Sequence, residues 1–291
     1  MSAIVFVGPT IPVEEVRRII DAECRPPVAQ GDVYRAALCR PRLIGIFDGY
    51  FDGVPSVWHK EVLWAMAQGI QVFGSASIGA LRASELADFG MRGVGRIFED
   101  YRSGRLINDD KVAVLHAPAE LGFAPLSEPT VSIRATLERA EAEGVLAGDQ
   151  VPALVDLAKR MHYRARSWEA ILEAAADLPG IADFGAWLVT GRADAKRDDA
   201  IAMLQAMAAA MAADEGAAPV GYSFEPTHVW EDLTGRVEAG QLAAIETERM
   251  VLEELRLDRE RYRELRARGA SQSGARCGRA RGGRDRAARA A

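Results

Sequence analysis

Over roughly the first 125 residues, short apolar runs alternate with helix-patterned stretches, and this alternation restricts the fold more than any other feature. "AIVFVG", "RLIGIFDG" and "IQVFG" read as buried strands. Between them lie an amphipathic helix that Pro12 opens and that runs through "VEEVRRIIDAEC", a shorter helix around "DVYRAALC", and a helix "SVWHKEVLWAMAQ" that Pro55 starts and Gly69 stops. Connections this long between strands require crossovers, so the sheet is expected to be mostly parallel. The expected class is α/β, a mostly parallel sheet flanked by helices in Rossmann-like layering, followed by an α-helical region; the strand order stays open.

After Pro129 the pattern turns helical, in "TVSIRATLERAEAEG", "VPALVDLAKRMHY", "SWEAILEAAADL" and "DDAIAMLQAMAAAMAA". From Leu242 a charged stretch with a narrow apolar stripe reads as a long exposed helix, docked on its own domain or meeting a partner chain. The expected organisation is an α/β core at 1–127, a helical region at 128–268 and a disordered basic tail at 269–291. That tail holds six Arg against one Asp, so the formal net charge of −6 hides an acidic body of −11. It lacks the interleaved aromatics of a stacking surface, and nucleic-acid binding is not indicated. With no membrane-length apolar stretch, no signal-peptide pattern and three scattered cysteines, a cytoplasmic protein without disulfides or a metal site is expected.

Parallel strands send their C-terminal ends to one edge, which gathers three loops: Gly8-Pro9-Thr10, Asp48-Gly49-Tyr50 and Gly74-Ser75-Ala76-Ser77. Ser77 falls at the start of a helix. It either caps that helix, the commoner role for serine there, or presents its hydroxyl beside first-turn N–H groups that form an oxyanion hole around Ile78 and Gly79. A serine nucleophile needs a base. The four histidines are scattered, whereas Lys60 shares an otherwise apolar helical face with Val57, Trp64 and Ala67, where burial would favour the neutral amine. The alternatives are that Lys60 reaches solvent or pairs with Asp48.

"GSASIG" has phosphate-loop glycine spacing, but Ala80 stands where the motif requires lysine. "GVGRIF" holds only two glycines of a dinucleotide fingerprint and is discounted. Asp109 and Asp110 read as turn residues before a strand, and Arg82 with Glu85 as an ion pair one turn apart.

Taken together, "VFVGPT", "RPPVAQGDVYRA", "IGIFDGYF", "VWHKEVLWAMAQGIQVFGSASIGALRASEL" and "GMRGVGRIFEDY" resemble the core domain of the TfuA family. The resemblance implies work alongside a YcaO enzyme, which uses ATP to activate a peptide-backbone amide for replacement of its oxygen by sulfur. It implies a hydrolase-like Ser-Lys site that cleaves the thiocarboxylated C-terminus of a small ThiS-like sulfur carrier and helps the YcaO enzyme engage its peptide substrate. By motif the serine is Ser77 in "SIGALRA", with Ser75 as its rival, and the lysine is Lys60 in "WHKE"; Ile78 replaces the family's usual methionine. Gly74, Ser75, Ile78 and Gly79 would form the loop, and Gly8, Thr10, Asp48, Tyr50 and Arg82 the substrate edge. This chain needs no cofactor of its own on that reading, since ATP belongs to the partner. The competing expectation is a non-catalytic adaptor for a YcaO enzyme and its peptide.

Overall fold

The apolar runs pair as strands, with helices returning the chain between them. In the computed structural model, which describes residues 3–51, 54–214 and 216–240, β1 (Ala3–Phe6), β2 (Ala22–Arg25), β3 (Leu43–Ile46), β4 (Gln71–Gly74) and β5 (Arg92–Gly93) form one sheet. Its order is β2-β1-β3-β4-β5, and every pairing is parallel. The helix after Pro12 stops early: α1 is Val13–Ile19, and the expected helical residues 22–24 belong instead to β2. β2 is an edge strand with only Cys24 buried, so its sequence lacks the apolar run of its neighbours.

Alternation along the strands divides the core between two faces. Ile4, Phe6, Ile44, Ile46 and Val72 face α2 (Asp32–Leu38), α3 (His59–Ala67) and α4 (Ile78–Leu86). Ala3, Val5, Val7, Leu43, Phe47 and Phe73 face α1 and α10 (Ala195–Ala212). A Cβ at Gly45 would lie 2.7 Å from the sulfur of Met207, so this glycine lets the methionines of α10 settle onto β3. The sheet thus takes one of its covering helices from the helix-patterned stretch beyond Pro129.

Following α5 (Arg96–Arg102), α6 (Thr130–Ala142), α7 (Gln150–Arg160), α8 (Trp168–Ala174) and α9 (Ile181–Gly191) enclose a second core around Ile133, Leu137, Leu154, Trp168 and Phe184. No strand follows Asp109 and Asp110 among the described residues. They open a short 3-10 turn, and an isolated bridge between His116 and Pro125 is the only described β pairing after it. Arg166, 1 % exposed, organises this stretch by donating to the carbonyls of Asp110, Ala158 and Met161. Finally α11 (His228–Glu238) lays Trp230 and Leu233 against Tyr34 and Trp64, outside α2 and α3. The helix expected from Leu242 and the basic tail lie outside the described residues. Among those described, no helix is long and apolar enough to cross a membrane.

Candidate functional site

The order β2-β1-β3 reverses the direction of winding between β1 and β3, and in such sheets the loops part there to leave a crevice at the C-terminal edge. Asp48 fills the back of it. Its Oδ2 accepts from the amides of Gly8 and Thr10, each at 3.0 Å, and its Oδ1 accepts from Thr10 Oγ1 at 2.6 Å. Facing it is Lys196, from the first turn of α10, with Nζ 3.6 Å from Asp48 Oδ1 and donating to Val112 O at 3.2 Å. Asp48 and Lys196 are 2 % and 3 % exposed, a buried ion pair whose carboxylate is fully hydrogen-bonded.

On the adjacent strand β4 turns abruptly into α4. A Cβ on Gly79 would sit 1.8 Å from Ile46 O, and one on Gly74 2.1 Å from Gly79 O, so the glycines of "GSASIG" let this helix press against the end of β3. Close packing explains the spacing that resembles a phosphate loop. The turn is closed by Ser77 N–H to Ser75 O at 2.7 Å across Ala76, which adopts a φ of +66°. Positive φ at a buried alanine is strained, and such strain collects at functional turns.

The two serines of this turn differ sharply. Ser75 is fully buried, and its hydroxyl lies 2.8 Å from Val94 O and 3.0 Å from Asp199 O, tying the turn to β5 and α10. That engagement ties up the Ser75 hydroxyl, whereas Ser77 has no such bond. Ser77 begins α4, but its side chain accepts no capping bond and bonds to no described residue. The expected cap is therefore absent. The Gly79 amide donates to Phe47 O, which takes it out of the expected oxyanion hole, and the Ile78 amide is the first-turn donor left without a described acceptor.

Lys60 is not buried as its stripe suggested. The helix starts at His59, three residues later than expected, and turns Lys60 outward: Nζ lies 3.3 Å from Thr227 Oγ1 and 5.3 Å from the centre of the Phe224 ring. Asp48 pairs with Lys196 and not with Lys60. Beside Lys60, burial pushes the Glu61 carboxyl up to about 7, although the amides of Trp58 and Tyr34 donate to it. The ion pair of Arg82 with Glu85 is present at 2.7 Å; Arg82 also donates to Val57 O, and His59 joins Glu85 from α3. Arg82 thereby braces α4 against the segment entering α3. Tyr50 is buried with its ring 5.7 Å from that of His116.

A cleft of about 730 Å³ opens between the sheet edge and the α6–α9 core, lined by Pro9, Thr10, Ser132, Trp168, Asp194 and Lys196 among others. Ser77 is not part of its lining. Two of its groups escaped the sequence reading. Lys196 shares a face of α10 with Ala200, Met203 and Met207, the same signature of a lysine in an apolar stripe that singled out Lys60. Ser132 had no such signal, because nothing in a helical sequence marks a hydroxyl that lacks a partner. The other motif set aside, "GVGRIF", carries an anion of the protein's own. The Asp199 carboxylate occupies the space where a Cβ of Gly95 would lie, and accepts from the amides of Arg96 and Ile97. Among the described residues no cluster of three or more His, Cys, Asp or Glu is placed to hold a metal.

Fold and site together define a parallel, doubly wound α/β protein with a buried ion pair at its switch point and an unengaged serine on the neighbouring turn. Residues 48–167 match the family model described as TfuA-like protein, and the chain is similar to that family over this segment. The match takes in Asp48, Lys60, Ser77 and Ser132; it starts later and reaches further than the stretch that carries the resemblance in the sequence, and leaves out β1, Thr10 and Lys196. No curated protein matches the chain.

Proposed function

We propose that this chain is a TfuA-like accessory hydrolase of sulfur transfer, acting on the thiocarboxylated C-terminus of a small ThiS-like carrier protein. The observation that carries the reading is the β4–α4 junction, where the Ser77 hydroxyl and the Ile78 amide stand side by side without described partners on the edge where such sheets bind ligands. Ser77 Oγ attacks the thiocarboxylate carbon and gives its proton to a lysine. The oxyanion takes the Ile78 N–H at the positive end of α4. Breaking the C–S bond then releases sulfide, which recovers the proton, and water hydrolyses the acyl-serine to leave a carboxylate on the carrier.

Lys60 is the base that the family motif assigns, and to act it must leave Thr227 and Phe224. The released sulfide would serve a YcaO enzyme that spends ATP on its peptide, with this chain helping that enzyme engage the peptide. The adaptor reading draws support from the engaged ammonium of Lys60, and the same experiment separates the two. Sulfide release from a purified thiocarboxylated carrier is measured for wild type, Ser77→Ala and Lys60→Ala at equal folded concentration. The hydrolase reading expects Ser77→Ala to lose about 10³-fold or more, with a comparable loss in Lys60→Ala. No release even from wild type, with YcaO binding intact, would leave the adaptor, and release undiminished in Ser77→Ala would overturn the choice of nucleophile while keeping the reaction.

A further inference from the structure

The cleft holds polar groups that the mechanism above does not use. Ser132 is 5 % exposed, and its hydroxyl is enclosed without a hydrogen-bond partner. Buried hydroxyls are nearly always paired, and leaving one unmet costs about 1–3 kcal/mol. It lies on the side of α6 that faces the α9–α10 junction, where its neighbour one turn on, Thr136, bonds to Ala193. Lys196 lies on the other side of that junction. Its ammonium carries three donors; Val112 O takes one, and Asp48 balances its charge from 3.6 Å. Lys196, paired with Asp48, and Ser132, with its enclosed and unmet hydroxyl, thus both belong to the wall of one cavity at the sheet's C-terminal edge.

Three carboxyl groups line the cleft, Glu128, Glu169 and Asp194, beside three cations, Arg164, Arg192 and Lys196. Arg192 lies 3.4 Å from Glu128, and Asp194 caps α10 by accepting from the Arg197 amide. Burial raises both carboxyl groups, each of which also feels a neighbouring carboxylate, so both hold their protons more readily than free acids. The remaining walls are mixed, with three prolines and Trp168 beside Arg164, Arg192, Ser127 and Ser167, and the volume far exceeds that of a lone inorganic anion. An extended chain with an anionic end satisfies all of these features: its tip meets Lys196 and Ser132, and its body runs along the prolines.

We propose that this cleft is a receptor for a free peptide C-terminus, with the terminal carboxylate or thiocarboxylate held by Lys196 and Ser132. The proposal deepens the reading above, since a carrier's thiocarboxylated tail is such an end. Ser77 does not line the cleft, so in that role Lys196 and Ser132 bind the tail's end before it moves to the β4–α4 turn or after hydrolysis.

The test is fluorescence polarisation with a short, neutral, fluorescein-labelled peptide ending in a free carboxylate, compared with the same peptide amidated. The full chain is used, and no turnover is required. The free acid is expected to bind at least about tenfold more tightly than the amide, the difference a charged hydrogen bond supplies. Ser132→Ala and Lys196→Met should each weaken the free acid and leave the amide unchanged. Ser132→Ala guards against misfolding of the lysine variant, since it removes an unpaired group. Equal binding of acid and amide would overturn the proposal. So would wild-type binding in both variants, or inorganic phosphate competing as well as the unlabelled acid, which would mark a small-anion site instead. If the peptide binds as expected while wild type releases no sulfide, the receptor stands and the hydrolase reading falls. If Ser77→Ala loses release while acid and amide bind equally, the hydrolase stands and the receptor falls.

Discussion

Two helices start at the same edge of the sheet within twenty residues of each other, and their N-termini are treated in opposite ways. At α5 the protein plugs the end with its own anion: the Asp199 carboxylate accepts from the amides of Arg96 and Ile97, and Gly95 has no side chain to obstruct it. At α4 no described side chain takes that place, although the turn is itself buried, with Ser77 3 % exposed. Ser77 caps nothing, the Ile78 amide has no described acceptor, and Ala76 holds a strained φ of +66°. A helix N-terminus attracts negative charge whatever its surroundings, so the contrast lies in who supplies it. The protein supplies it at α5, whereas at α4 no described group does, and on the proposed function the substrate would.

The most severe way to break this comparison is to push α4 off the sheet. Gly79→Ala would place a methyl 1.8 Å from the Ile46 carbonyl oxygen, backbone against backbone, with no flexible side chain to yield. A loss of about 4 kcal/mol or more is expected in denaturant unfolding, together with loss of sulfide release. A variant as stable as wild type would mean that the glycine is not what allows the close approach.

A smaller effect concerns the plug. Burial, with Asp198 and Glu99 nearby, pushes the Asp199 carboxyl up to about 6, more than its two amide donors pull it down. Because the folded value is raised, its proton-linked stability is complete below the ordinary aspartate range and is lost as pH rises through about 6. Asp199→Asn removes that linkage and keeps an oxygen acceptor. Between pH 4 and 7 the wild type should therefore lose about 2–3 kcal/mol relative to the variant. Unfolding curves at the two pH values check this, and a change of the opposite sign would show that the helix end outweighs burial.

The layering was legible from the sequence because buried parallel strands write themselves as continuous apolar runs, and β1, β3 and β4 all do. β2 was not, since an edge strand buries little, and β5 has two residues. The edge loops were legible for the same reason as the strands, and they bring Gly8, Thr10 and Asp48 into one network. What sequence alone did not supply was rotation about a helix axis and partners distant in the chain. Lys60 and Lys196 carry the same pattern, yet the first turns outward to Thr227 and the second inward to Asp48, far earlier in the chain. The sequence favoured Ser77 over Ser75 by its place at the helix start and by motif, and the carbonyls of Val94 and Asp199, which engage only Ser75, add a contrast that the sequence did not carry.

That contrast yields the smallest predicted effect on stability and the sharpest test of the comparison. Ser75→Ala removes the one donor shared by the Val94 and Asp199 carbonyls and should cost about 1–2 kcal/mol while sulfide release persists at equal folded concentration. Ser77→Ala removes a hydroxyl that bonds to nothing described and caps no helix, so its stability should stay within about 0.5 kcal/mol of wild type. An N-terminal serine that acted as a cap would instead cost about 1 kcal/mol on the same substitution. Thermal unfolding of the pair, set beside their release rates, therefore asks whether stability and chemistry divide between two serines on one turn. A Ser77→Ala protein destabilised as much as Ser75→Ala would show that the Ser77 hydroxyl is engaged after all, and with it would go the reason for placing the nucleophile there.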